Sequence, residues 1–157
     1  MIKEGDPPAT LQETQVKSMI YGATNFTFRL EKLKKLGGLT RDMAAAIYLY
    51  TMDTAFYKII NALLRDVDRS RLLPFFPYLK LTLTGLRRLE KQEAEVFRGV
   101  ALPFSALDGA ENYIPGSVVV WWPFSSSTLS REVLSDAQFL GTSGKRTLFK
   151  IKVVSHL

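Results

Sequence analysis

The sequence predicts an α+β fold in which a helical lobe is followed by a β core. Apolar residues recur at helical spacing between residues 40 and 89. After Lys91 the pattern changes to short runs rich in β-branched and aromatic residues, at residues 95–100, 118–128 and 147–154. With 157 residues and 46% hydrophobic content, the chain is long enough to bury a core and is not disordered.

We divide the chain accordingly into an N-terminal extension at residues 1–38 and a domain at residues 39–157. The helical lobe of this domain covers residues 39–91 and the β core covers residues 92–157. Within the extension, residues 21–30 have strand-like aromatic residues, whereas residues 28–36 have a helical pattern, and both alternatives stay open. Gly37 and Gly38 predict a break before the domain.

Three helices are predicted in the helical lobe. Thr40 is a suitable N-cap for the first, with Asp42 in the first turn where the helix dipole favours a carboxylate. The second helix places apolar residues between positions 56 and 64 on one broad face. The third helix runs from about residue 78 to 89, and its predicted apolar face consists of Leu79, Leu83, Leu86 and Leu89.

The β core is predicted to contain three strands and the residues with the most chemistry. Arg98 lies inside an apolar strand, where an arginine needs an anionic partner or an open cleft. Gly99 beside it would let a ligand approach the backbone. The second run ends in a cluster of hydroxyl residues at positions 125–128, which can donate and accept hydrogen bonds. Together these residues indicate a cleft for an anionic ligand that is rich in hydroxyl groups.

The segments between the strands are less clearly patterned. Residues 101–115 form a connection, and Ser130 could cap a helix that continues to Phe139. We interpret Trp121 and Trp122 as packing residues, because aromatic residues in a strand are more often core than ligand platform.

Composition excludes several classes of site. The chain has no cysteine and one histidine, so neither a disulfide framework nor a Cys- or His-based metal site is expected. The absence of cysteine favours a reducing, cytoplasmic compartment, and no apolar run reaches the length of a membrane span. The net charge of +6 would suit an anionic ligand, an acidic protein or nucleic acid. No nucleic-acid-binding signature accompanies the charge, so nucleic acid is not the expected partner.

Three stretches resemble the arginine-specific mono-ADP-ribosyltransferases of the R-S-E class. They are Phe-Arg-Gly at residues 97–99, Phe-Ser-Ser-Ser-Thr-Leu at 124–129 and Leu-Phe-Lys-Ile at 148–151. The order and spacing of the three stretches are more specific than any one of them. Parts of the helical lobe are similar to the same family, so the resemblance covers about residues 39–151. It implies a mixed β core of the ADP-ribosyltransferase type.

The resemblance also implies that NAD is the substrate and assigns roles to individual residues. Arg98 would contact the pyrophosphate of NAD, and Gly99 would present backbone groups to the nicotinamide amide. The family's Ser-Thr-Ser motif falls on residues 126–128, which here read Ser-Ser-Thr. Ser126 would brace the catalytic site, Ser127 would belong to the NAD site, and Phe139 would stack on nicotinamide.

The implied reaction moves ADP-ribose from NAD to an arginine of an acceptor protein. In the family a Glu-x-Glu motif supplies the catalytic carboxylate on a later strand, whereas here no Asp or Glu follows Asp136. We therefore expect a β core that is incomplete at its C-terminus, in either a fragment or a short form. Two alternatives stay open: an inactive NAD-binding relative, and a basic module that binds acidic proteins or nucleic acid.

Overall fold

The computed structural model describes residues 12–32, 34–107, 109–136 and 140–154. The chain divides into two compact units, which we call the helical unit (Met1–Glu90) and the β unit (Lys91–Leu157). Among the described residues, all four α-helices belong to the helical unit and a two-stranded antiparallel sheet belongs to the β unit. The predicted α+β class is confirmed.

The helices are α1 (Glu13–Lys32), α2 (Arg41–Thr51), α3 (Phe56–Arg65) and α4 (Phe76–Arg88), and the strands are β1 (Ala94–Val100) and β2 (Thr147–Val153). Short 3-10 helices lie at Arg69–Phe75, Phe104–Ala106, Ala110–Asn112 and Glu132–Ser135. None of the helices in the described ranges is long and apolar enough to cross a bilayer.

Helix α1 decides between the two alternatives for the extension, and the strand-like interpretation of residues 21–30 is wrong. Ala23 and Thr27, four residues apart, are both buried, as expected for one face of a helix. The Thr27 hydroxyl donates to the Ala23 carbonyl at 3.1 Å, so its burial leaves no polar group unsatisfied. Phe26 stacks on Tyr48 of α2, with 3.9 Å between ring centroids. Packing of one helical face on α2 therefore outweighs the β propensity of the aromatic residues.

The predicted start of α2 is confirmed. Gly37 and Gly38 have φ angles of 57° and 82°, which glycine adopts without steric cost, and they separate α1 from α2. The Thr40 side chain then accepts a hydrogen bond from the backbone N–H of Met43 at 3.3 Å. The core behind this turn contains Ala23, Ala45, Leu49 and Phe56.

Helix α4 is confirmed, but the predicted apolar face is only partly correct. Leu79 is buried, whereas Leu83, Leu86 and Leu89 are each more than a third exposed. The buried side of the helix continues instead through Thr82 and Gly85. A Cβ on Gly85 would lie 2.9 Å from the Ile47 Cδ1 and 3.2 Å from the Met43 Cβ, so a larger residue there would require side chains of α2 to shift.

In the β unit, β1 and β2 pair in antiparallel register, with Arg98 opposite Phe149 and Gly99 opposite Leu148. Both were predicted as strands, and both are confirmed. The strand predicted at residues 118–128 is wrong: among these residues only Thr128 forms a β-bridge, with Phe97. Pro123 has no N–H to donate to a ladder, and Val118 is 89% exposed. Up to that bridge the segment has no regular secondary structure and is not part of the sheet.

The helix predicted from Ser130 is also shorter than expected. Only the 3-10 turn Glu132–Ser135 forms in the described part, and Phe139 lies outside the described residues. The Ser130 hydroxyl does not cap a helix but donates to the Glu132 carboxylate at 2.5 Å. This local side-chain bond competes with the capping geometry that a longer helix would require.

Candidate functional site

Arg98 lies near the C-terminal end of β1 and reaches across to the hydroxyl-rich segment. Its guanidinium Nη1 donates to the backbone carbonyl of Ser126 at 3.0 Å, a contact between residues 28 positions apart. The guanidinium carbon also lies 5.5 Å from the centroid of the Trp121 ring, within cation–π distance. These two contacts orient the side chain and bring Arg98 next to the backbone of Ser126.

Trp121 belongs to a cluster of aromatic rings on the same face of the hairpin. Its indole N–H donates to the Tyr113 hydroxyl at 2.5 Å. Its ring packs edge-to-face on Phe149, with 5.2 Å between centroids, and Phe149 also contacts Tyr113 at 5.6 Å. Phe104 completes the cluster against Tyr113, again at 5.6 Å. Phe149 is the cross-strand partner of Arg98, so the aromatic cluster lies on the same face of the hairpin as the arginine.

The predicted serine residues lie at the rim of this arrangement. The side chains of Ser126 and Ser127 are exposed, and Ser126 contacts Arg98 through its backbone carbonyl, not through its hydroxyl. The Ser127 hydroxyl lies 3.5 Å from the Ser125 carbonyl, which is long for a hydrogen bond. Thr128 holds the segment in place, because it exchanges two backbone hydrogen bonds of 2.7 and 2.9 Å with Phe97.

Gly99 faces the opposite side of the hairpin, as expected for the neighbour of Arg98 in a strand. A Cβ at this position would lie 2.8 Å from a methyl carbon of Leu140 and 3.0 Å from its Cβ. The glycine is therefore required by the close approach of Leu140, a reason that the sequence did not reveal. The predicted contact of its backbone with nicotinamide stays a prediction.

A groove of about 390 Å³ lies on this second side, where Leu140 and Leu148 form part of its wall. Its remaining lining residues are Arg131, Leu134, Ser135, Gly141, Thr142 and Arg146. Arg146 is held in place because its guanidinium donates to the Gly141 carbonyl. Two guanidinium groups and two hydroxyls give this groove the chemistry of an anion site.

Next to the groove in sequence, the hydrogen bond from the Ser130 hydroxyl, together with one from the backbone, holds the pKa of Glu132 below its usual range.

The candidate site therefore combines some of the predicted residues and separates others. Arg98 contacts the Ser126 backbone, and Ser127 follows it in the chain. Gly99 lies against Leu140 on the other face, and Phe139 lies outside the described residues. Within the described ranges there is no group of three or more His, Cys, Asp or Glu side chains that could hold a metal ion.

Trp121 and Tyr113 were not predicted as site residues. Residues 118–122 are all apolar, so the sequence carried no signal for it; the structure shows Val119 and Trp121 half-buried while Val118, Val120 and Trp122 are exposed. Trp121 does pack, as interpreted from the sequence, whereas Trp122 is 66% exposed.

Comparison with known proteins gives one match. The family model described as NAD:arginine ADP-ribosyltransferase matches residues 10–155, which is nearly the whole chain. No curated protein and no solved structure matches the chain significantly. Enzymes of the matching family use NAD as their substrate. Because the match spans far more than half of the residues, the chain belongs to the NAD:arginine ADP-ribosyltransferase family.

Proposed function

We propose that this chain transfers the ADP-ribosyl group of NAD to the guanidinium of a protein arginine and releases nicotinamide. Family membership supports an ADP-ribosyltransferase that uses NAD. The arginine acceptor and the roles of individual residues are proposed here. The observation that favours them most directly is the contact of Arg98 with Ser126, which joins the predicted NAD-binding strand to the predicted serine motif.

In this proposal Arg98 binds the pyrophosphate of NAD. A guanidinium offers planar, paired N–H donors that match phosphate oxygens, and its charge does not depend on pH in the physiological range. The bond to the Ser126 carbonyl and the contact with Trp121 hold the group in one orientation before NAD arrives. Preorganisation of this kind reduces the entropy that is lost on binding.

The exposed hydroxyls of Ser126 and Ser127 would then bind the ribose or nicotinamide end. The reaction breaks the bond between the ribose anomeric carbon and the nicotinamide nitrogen, and the nicotinamide leaves with the electron pair. The acceptor guanidinium forms a new bond to the anomeric carbon and gives up one proton. A carboxylate near the ribose would stabilise the developing oxocarbenium character, and residues 137–157 contain no Asp or Glu. Binding and turnover are therefore measured separately.

The test compares the chain with an Arg98→Ala variant and with an Arg88→Ala control, which removes the same charge from an exposed position on α4. NAD binding is measured by calorimetry, and turnover is measured as nicotinamide release with agmatine as the acceptor. Loss of the guanidinium should weaken NAD binding roughly ten- to hundredfold, since hydrogen bonds to charged groups contribute more than neutral ones. The Arg88→Ala control should bind NAD like the unaltered chain.

The outcomes separate the alternatives. Nicotinamide release that depends on agmatine, and not on the amine cadaverine, would support transfer to arginine. NAD binding without release would favour the inactive NAD-binding relative. A folded sample that binds no NAD, but binds nucleic acid with a strong salt dependence, would contradict the proposal and favour a basic binding module.

A further inference from the structure

We infer that Trp121 and Tyr113 are positioning residues that set the orientation of the Arg98 guanidinium for NAD. This inference rests on the proposed role of Arg98 in binding the pyrophosphate. Neither aromatic residue needs to touch NAD, because both act through the arginine.

The first step of the argument is the contact between Trp121 and Arg98. A guanidinium is attracted by the face of an indole, and this attraction is larger for tryptophan than for the other aromatic residues. The guanidinium carbon of Arg98 lies 5.5 Å from the Trp121 centroid, and both residues are half-buried, so the contact is partly shielded from water. The Ser126 carbonyl holds the guanidinium from a second direction, at 3.0 Å.

The second step concerns the indole itself. A ring that supports a cation is useful only if its own orientation is held, and Trp121 is held by contacts with Tyr113 and Phe149. Its N–H donates to the Tyr113 hydroxyl at 2.5 Å, its ring packs on Phe149, and Tyr113 is itself packed against Phe149 and Phe104. Because the indole is half-buried, its N–H benefits from a protein partner, and the Tyr113 hydroxyl is that partner.

The neighbouring tryptophan provides a matched control. Trp122 follows Trp121 directly in the chain, but its side chain is 66% exposed. Substitution of either tryptophan removes an indole from the same stretch of chain. The control compares the Trp121 indole, whose ring centroid lies 5.5 Å from the Arg98 guanidinium carbon, with the more exposed indole beside it.

The experiment measures the Kd of NAD for Trp121→Leu, Tyr113→Phe and Trp122→Leu, each in the unaltered chain and in an Arg98→Ala background. We expect Trp121→Leu to weaken binding roughly three- to thirtyfold, and Tyr113→Phe about two- to fivefold, in the unaltered chain. In the Arg98→Ala background both substitutions should have almost no further effect, because residues that act through a shared partner are not additive. Trp122→Leu should change the Kd less than twofold in either background.

Trp121→Phe is the conservative variant and should retain part of the effect, because a ring remains under the guanidinium while the N–H donor is lost. Tyr113→Phe keeps all four rings of the cluster and removes only the hydroxyl. If Trp121→Leu does not fold, the Kd of NAD for Tyr113→Phe tests the inference instead. Equal losses in both backgrounds would show a general structural role and overturn the inference. If Arg98→Ala weakens NAD binding but Tyr113→Phe and Trp121→Phe leave it unchanged, the inference is overturned while the proposed function stands. Absence of NAD binding by the unaltered chain would overturn both it and the proposed function.

Discussion

Two neighbouring residues of β1 meet opposite requirements on the two faces of the hairpin. Arg98 contacts the aromatic ring of Trp121 on one face, whereas Gly99 leaves space for Leu140 on the other. Because alternate residues of a strand point to opposite faces, one Arg-Gly pair can serve both sides. A pair of residues that looks like a simple sequence motif therefore reflects two separate packing environments.

Replacement of Gly99 by alanine tests the second environment. Alanine is ordinarily more stable than glycine within a strand, but here the new Cβ would lie within 3.0 Å of the Leu140 Cβ. We expect Gly99→Ala to lower the free energy of unfolding by about 1–3 kcal/mol, the usual cost of overpacking. Urea denaturation should show a smaller cost in a Leu140→Ala background. An equal cost in both backgrounds would contradict the close contact.

Ser130 and Glu132 provide a prediction about pH. The Ser130 hydroxyl stabilises the charged form of Glu132 and lowers its pKa, so Ser130→Ala should raise that pKa toward its ordinary value. A carboxyl whose pKa is lower in the folded chain than in the unfolded chain contributes stability above the unfolded value. That contribution is lost as the pH falls from about 5 through the lowered folded pKa. A carboxyl ¹³C NMR titration measures the shift, and stabilities of the two chains should converge at low pH.

At the scale of elements, the helices contain two interior glycines whose surroundings differ. In α1, a Cβ on Gly22 would lie 3.5 Å from the Met52 side chain, an ordinary contact distance and the nearest among the described residues. In α4, a Cβ on Gly85 would lie 2.9 Å from the Ile47 Cδ1 and 3.2 Å from the Met43 Cβ. Helix propensity favours alanine at both positions, so only packing distinguishes them.

The same substitution at the two positions should therefore have opposite signs. Gly22→Ala should raise the free energy of unfolding by roughly 0.5–1 kcal/mol, as expected for glycine to alanine in a helix. Gly85→Ala should lower it by about 1–3 kcal/mol, because it separates α4 from α2. Chemical denaturation followed by circular dichroism at 222 nm checks both. Stabilisation by Gly85→Ala would show that α4 can move away without loss.

The elements that the sequence predicted well are those whose pattern reflects their own packing. The N-cap at Thr40 and the break at Gly37 and Gly38 depend on local geometry, and both are confirmed. Helix α1 was ambiguous because its contact with α2, such as that between Phe26 and Tyr48, joins residues far apart in sequence. The strand at residues 118–128 failed for a related reason, since β propensity does not indicate whether a partner strand is available.

The candidate site was predictable only in part for the same physical reason. Arg98 could be recognised because an arginine in an apolar strand needs a partner. Its contact with the Ser126 carbonyl could not be read from the sequence, because a backbone group carries no sequence signal. The support from Trp121 and Tyr113 depends on a fold that brings residues 98, 113 and 121 together.

At the scale of the whole molecule, the buried core and the candidate site belong to different units. Almost all of the buried apolar residues in the described ranges lie in the helical unit, with Leu134 as the exception. In the described part of the β unit the sheet has two strands, and such sheets are only marginally stable by themselves. We therefore expect the β unit to unfold at a lower temperature than the helical unit.

The sequence supplies a separate probe for each unit. Both tryptophans, Trp121 and Trp122, lie in the β unit, so tryptophan fluorescence reports on that unit. The described α-helices lie in the helical unit, so circular dichroism at 222 nm reports mainly on the other. Thermal unfolding followed by both probes should give transitions that do not coincide, with fluorescence changing first.

Addition of NAD should then raise the fluorescence transition more than the circular dichroism transition. A ligand that binds only the folded state stabilises it by about 2.7 kcal/mol at a concentration one hundred times its Kd. Because the proposed NAD site lies in the β unit, that unit should gain the stability. The Arg98→Ala variant should lose this shift while it keeps the circular dichroism transition of the helical unit. Coincident transitions that NAD raises together would show that the two units unfold as one, and that the β unit gains its stability from more than its own two strands.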